Sequence, residues 1–99
     1  MRTKSTFRLA KKAKADLESI WLYGLETWSL NQADAYVAKL HEKFEFLAQW
    51  PSAGRHAATL RSGYFRFEFQ SHTIFYKSDK NGIIIIRILH EKMDAARHL

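Results

Sequence analysis

The sequence predicts an α+β domain in the order β-α-α-β-β-β: an N-terminal strand, then an antiparallel helical hairpin packed on a C-terminal antiparallel three-strand meander. Three observations point there. Apolar residues recur at spacings of three and four from Lys12 to Trp28 and again from Ala33 to Ala48. Strict alternation replaces that period in "YFRFEF". A turn signal, "SDKNG", then separates two β-rich runs near the end.

The first element is "TFRLA", Thr6 to Ala10, a short strand. The first helix, about Lys12 to Trp28, directs Ala13, Leu17, Ile20, Trp21, Gly24, Leu25 and Trp28 along one stripe. Its first turn carries lysines, the wrong sign for the positive end of a helix dipole, and no Ser, Thr or Asp caps it. "SLN" breaks the pattern. Asn31 is the expected cap of the second helix, with Asp34 favouring its positive end. Ala33, Tyr36, Val37, Leu40, Phe44, Leu47 and Ala48 form its stripe. Trp50 stops it, because Pro51 disfavours helical backbone in the residue before it. The aromatics of the hairpin, Trp21, Trp28 and Phe44 among them, read as core.

"PSAGRHAATLRSG" reads as a loop. Phe65, Phe67 and Phe69 then share one face of a strand, with Tyr64, Arg66 and Glu68 on the other. "SHTIFYK" is the next strand, and Asn81-Gly82 closes a hairpin. "IIIIRIL" lacks alternation, which implies burial on both faces and a central place in the sheet. Arg87 within it needs a carboxylate, a backbone carbonyl or a solvent-filled groove for its guanidinium. A tail from His90 to Leu99 follows.

Ninety-nine residues make one domain, 1–99, and 46% apolar residues with three Trp, seven Phe and four Tyr can build a core. There is no cysteine, so disulfides and thiolate chemistry are excluded, and a cytoplasmic setting is expected. The basic start lacks the apolar segment of a signal peptide, and no run is long enough to span a membrane. The net charge of +6 comes from one end: Arg2, Lys4, Arg8, Lys11, Lys12 and Lys14 precede the first acid, Asp16. The remaining ten basic residues balance ten acidic ones. Such an end suits an acidic partner, or serves only to solubilise.

Few reactions fit the motifs. "HEKMD" has Asp94 where a zinc-protease helix needs its second histidine, and His41, His56, His72, His90 and His98 show no ligand spacing, so neither metal nor cofactor is expected. No nucleophile elbow or glycine-rich phosphate loop is present. Acid-base cleavage of RNA has candidates in His90 as proton donor or acceptor and Arg61, Arg66 and Arg87 as cations, provided they converge. Neither helix offers a DNA-recognition face.

Four stretches in order, "FRLAKKAKADLESIWLYGLETW", "PSAGR", "SHTIFYK" and "IIIIRILHEKMDAARHL", are spread nearly end to end, from Phe7 to Leu99. Together they resemble the ParE toxins of the RelE/ParE superfamily, the toxic halves of type II toxin-antitoxin pairs. The chain departs from many such sequences at Ala10 and Lys11, where they open the first helix with Ser-Pro.

The resemblance implies a protein with no catalysis of its own. It would stall DNA gyrase by protein contact and be neutralised by a ParD-like, DNA-binding antitoxin, through which alone it would meet DNA. His90, Met93, Arg97 and His98 are then the expected target contacts. Lys11, Lys12 and Lys14, with Trp21, Tyr36 and Leu40 along an apolar groove, are the expected antitoxin contacts. RelE-like relatives instead cleave ribosome-bound mRNA. In that alternative His90, Arg87 and Arg61 would act, although the C-terminal tyrosine of many such enzymes is missing here. A toxin fold that serves only as the antitoxin's partner is a third possibility.

Overall fold

The computed structural model describes residues 6–99, so Arg2 and Lys4 of the basic end lie outside the described residues. The elements are β1 (Phe7–Leu9), α1 (Lys11–Thr27), α2 (Leu30–Gln49), a 3-10 turn (Pro51–Ala53), β2 (Arg55–His56), β3 (Phe65–Phe69), β4 (His72–Asp79), β5 (Gly82–His90) and α3 (Ala95–His98). They form one five-stranded sheet in the order β1-β5-β4-β3-β2. β1 runs parallel to β5, and the other neighbours are antiparallel. The expected meander is β3-β4-β5, extended by a strand at each edge. The two-residue β2 lies in the stretch whose sequence reads as a loop; its pairing to Arg66 and Phe65 is a tertiary property with no local signal.

α1 begins without a side-chain cap at Ala10, as its sequence predicts. α2 is capped by Ser29 and not Asn31: extended backbone at Ser29 brings its hydroxyl to accept from the Gln32 amide at 3.1 Å. Asn31 sits inside the first turn. Asp34 holds the two helices together, accepting from the Trp21 indole N–H at 2.8 Å. The hairpin closes tightly because Gly24 faces Ala33; a Cβ there would lie 3.2 Å from the Ala33 Cα and Cβ.

The helices cover one face of the sheet. Ala13, Leu17, Leu40, Phe44, Leu47 and Ala48 meet Ile74, Tyr76, Ile83, Ile85 and Ile88 in one buried cluster, flanked by the half-buried Phe65, Phe67 and Phe69. Trp28 departs from the core reading: it is 61% exposed at the hairpin bend, where the helix has ended and its stripe no longer faces the sheet. Trp21 is half-buried. The Tyr76 hydroxyl, deep in the core, donates to the Pro51 carbonyl at 2.6 Å and accepts from the Gly54 amide at 2.9 Å, pinning the connection after α2.

β5 is interior, between β1 and β4, but the middle of the sheet is β4, where Thr73, Ile74, Phe75 and Tyr76 are buried in succession. Along β5, Ile83, Ile85 and Ile88 enter the helix-side cluster while Ile84 and Ile86 are half-buried. The step of three between Ile85 and Ile88 has a cause. Tyr76 pairs with Ile85 and Phe75 with Arg87, leaving Ile86 as the extra residue of a β-bulge. The bulge puts Ile88 in the helix-side cluster and sets Arg87 opposite Phe75, from where its guanidinium reaches Asp16 of α1. The β4–β5 turn is Lys80-Asn81, with the Asp79 carboxylate accepting from the Asn81 amide at 2.8 Å. Gly82 follows with φ +121°, packed so closely against β1 that a Cβ would meet the Thr6 carbonyl oxygen. No helix among the described residues is long and apolar enough to cross a membrane.

Candidate functional site

Arg87 organises this end of the domain. Its guanidinium donates to both Asp16 carboxylate oxygens, from Nε at 2.8 Å and Nη2 at 2.9 Å, and from Nη1 to the His98 carbonyl at 3.0 Å. Asp16 also accepts from the Ile88 amide at 2.9 Å. The two side chains are 14% and 13% exposed, so the ion pair is a built-in strut between α1 and β5. The Asp16 contact raises the affinity of the guanidinium for its proton above the usual arginine value. This meets the need for a carboxylate and a carbonyl expected of an arginine in that strand.

The pair forms part of the wall between two clefts, Arg87 lining one and Asp16 the other. The smaller, of about 310 Å³, lies where the start of α1 meets the tail, with Lys11, Lys12, Arg61, Tyr64 and Arg87 around it. The tail closes it: α3, capped by the Asp94 side chain, brings Leu99 back so that Arg61 donates to the Leu99 carbonyl at 2.9 Å. His98 lines this cleft, whereas Arg97 is exposed on the short helix. Lys14 is exposed one turn further along α1.

The larger cleft, of about 950 Å³, runs between the hairpin and the β4–β5 end of the sheet. Ile20, Tyr23, Trp28, Ile88 and Met93 give it apolar walls, with Tyr23, Trp28 and Met93 62%, 61% and 48% exposed. His72 and His90 are directly paired across β4 and β5, their rings perpendicular with centroids 5.4 Å apart. The Tyr36 hydroxyl meets His72 Nδ1 at 2.7 Å, and the Lys92 amide donates to His90 Nδ1 at 3.1 Å. Burial pushes the His72 imidazole below the ordinary histidine value, and His90 adds to that shift; burial pushes the Tyr36 phenol up.

The sequence-predicted residues are therefore regrouped. His90, Met93 and Tyr36, expected to serve different partners, share the larger cleft. Lys11, Lys12, Arg61, Arg87 and His98 share the smaller one. The proposed ribonuclease set is split, with Arg61 and Arg87 on one side and His90 on the other, and Arg66 lines neither cleft. Leu40, expected to touch the antitoxin, is fully buried in the core and offers no surface, because its turn of α2 faces the sheet. Trp21 keeps part of its ring exposed but spends its N–H on Asp34. Sequence reasoning missed His72 and Trp28 as cleft residues. His72 and His90 lie 18 positions apart, and only the register of β4 against β5 brings them together. Among the described residues no group of three or more His, Cys, Asp or Glu is arranged to hold a metal ion.

A family model described as the ParE toxin of type II toxin-antitoxin system, parDE, matches residues 7–95. The chain is 40% identical over 93 residues to toxin ParE1 of Caulobacter vibrioides, covering 94% of this chain and 96% of that one. It is 35% identical over 96 residues to toxin ParE1 of Mycobacterium tuberculosis, covering 96% and 98%. Among solved structures, the chromosomal ParDE TA system from P. aeruginosa superposes with a TM-score of 0.76 at 19% identity, over 88% of this chain and 96% of that one. The toxin-antitoxin complex RelBE2 from Mycobacterium tuberculosis gives 0.61 at 21% identity, over 89% and 99%. At those identities the two structures share the fold.

Proposed function

From the premise that this chain belongs to the ParE toxin family of type II toxin-antitoxin systems, we propose that it arrests bacterial growth in the cytoplasm by binding DNA gyrase through protein contact, and that a ParD-like antitoxin neutralises it. The observation that carries the reading is the family match over residues 7–95, reinforced by a relative 40% identical over nearly its whole length. The β5 exit supports it further: His90 ends a rigid strand and the exposed Met93 lies in the turn just after it, at one end of the domain where a large partner can reach them. Arg97 and His98 lie on the returning tail.

The antitoxin is proposed to occupy the larger cleft, with Tyr36, Tyr23 and Trp28 as its apolar contacts, and to extend an acidic stretch towards Lys11, Lys12 and Lys14. A disordered amphipathic segment that folds on binding fits an open groove of this kind. Because His90 and Met93 line the same cleft, an antitoxin seated there would cover part of the proposed gyrase surface.

The ribonuclease alternative draws on the convergence of Arg61 and Arg87. Both guanidiniums, however, already donate to tail carbonyls, and His90 lies on the other side of the Asp16–Arg87 pair. The reading is tested by deleting Asp94 to Leu99 and measuring gyrase capture and growth arrest. The truncated chain is expected to lose both while still binding antitoxin. Full toxicity after truncation would remove the tail from the mechanism.

A further inference from the structure

The paired imidazoles of the larger cleft have the makings of an acceptor-seeking site. Each ring has its Nδ1 engaged, His72 by the Tyr36 hydroxyl and His90 by the Lys92 amide. The nitrogen left to each ring for a ligand is therefore Nε2, and among the described residues neither Nε2 has a hydrogen-bond partner. An amide N–H donates only to an unprotonated ring nitrogen, so His90 carries its ring proton on Nε2 as a donor. The two rings are cross-strand neighbours, 5.4 Å between centroids, held by β4 and β5 and not by a mobile loop.

The charges around the pair, element by element, are of both signs, with Asp16 and Glu91 both acting on His72. α1 contributes Asp16, but that carboxylate is committed to Arg87 and the Ile88 amide. α2 contributes Lys39 and the Tyr36 phenol, and the turn after β5 contributes Lys92 on the cleft and Glu91 beside it. Two lysines and two imidazoles thus face a cleft whose one lining acid is already paired. Its walls of Ile20, Trp28, Ile88 and Met93 ask for apolar groups at the same time.

We propose that the cleft receives an amphipathic segment of the partner which sets one carboxylate, Asp or Glu, on the Nε2 atoms of His72 and His90. This rests on the antitoxin reading above for the identity of the partner and adds to it the chemistry of the contact. A carboxylate accepting from both rings stabilises the imidazolium form, so seating it draws a proton into the pair. His72, held below the ordinary histidine value in the free protein, rises on binding. Affinity therefore increases as pH falls from about 8 to 6, by at most about tenfold per pH unit for one linked proton, and levels off once the free protein is itself protonated.

The test uses the intact chain and the antitoxin encoded with it. Calorimetry at fixed pH in two buffers of different ionisation enthalpy counts protons and needs no substitution. Net uptake of up to one proton is expected near pH 7, with tighter binding at pH 6 than at pH 8. His72→Gln, checked for an unchanged fold by its NMR spectrum, is expected to bind more weakly than the parent and to lose most of the gain between pH 8 and pH 6. Replacing one particular Asp or Glu of the antitoxin by its amide is expected to do the same. Tight binding with no proton uptake and no pH dependence would overturn this inference and leave the antitoxin reading standing. No binding at any pH would overturn both.

Discussion

The Asp16–Arg87 pair spends two charges on a place from which water is largely excluded. Breaking such a pair from one side strands the other charge, at a cost of about 3–5 kcal/mol, whereas removing both costs much less. Asp16→Ala or Arg87→Ala is therefore expected to lower the urea midpoint sharply, with the double variant closer to the parent than the sum of the two. Equal and additive small losses would mean that the strut does not bear on folding. His72 makes a separate residue-scale prediction. Its folded proton affinity lies below the ordinary value of about 6.5, so the unfolded chain binds the proton more readily. Its contribution to stability is fully present above that value and is lost as pH falls through its lower, folded value. Urea midpoints from pH 7.5 to pH 5 should decline, and His72→Gln should flatten that part of the decline. A parallel decline in the variant would assign it to other groups. The need of Arg87 for a carboxylate was legible in the sequence, because a charge in an apolar strand has few outlets. That the carboxylate is Asp16, 71 positions away, was not.

At the scale of elements, α1 carries an avoidable cost at its N-terminus. Ala10 has the extended backbone of a capping residue, φ −64° and ψ 158°, and no side-chain acceptor. Ala10→Ser should supply one and stabilise the protein by about 0.5–1 kcal/mol, seen as a higher melting temperature. No gain would mean that Ala10's half-buried packing outweighs the cap. Gly82 makes the opposite case. A side chain there meets β1 and a left-handed backbone at once, so Gly82→Ala should cost at least about 1–3 kcal/mol and loosen the β1–β5 pairing in hydrogen exchange. An unchanged exchange pattern would show that β1 can shift without loss. Both helices, the alternating β3 and the β4–β5 hairpin follow from hydrophobic period and turn residues, which is why they were readable. β2, the Ser29 cap and the Ile86 bulge depend on partners distant in sequence or on one rotated residue, which period cannot report. The four isoleucines read as a strand buried on both faces for the same reason: the bulge that lets Arg87 leave the pattern is invisible until β4 is in register.

For the whole molecule, the helical hairpin covers one sheet face, and the Asp16–Arg87 pair divides the β4–β5 end into a small basic cleft closed by the tail and a large apolar cleft with paired imidazoles. The exposed Tyr23 and Trp28 contribute little to the core, so Trp28→Ser should change stability by less than about 1 kcal/mol while weakening antitoxin binding severalfold. The family and fold were legible from four short stretches in order. The division of candidate residues between two clefts was not, since it depends on which side of one ion pair each side chain falls. The proposed contact of this fold with gyrase is tested by DNA supercoiling with purified gyrase and this protein titrated in, alone and with antitoxin. Loss of supercoiling with cleaved DNA trapped on the enzyme, restored by antitoxin, is the expected result. Unimpaired supercoiling in the presence of well-folded protein would contradict the proposed contact.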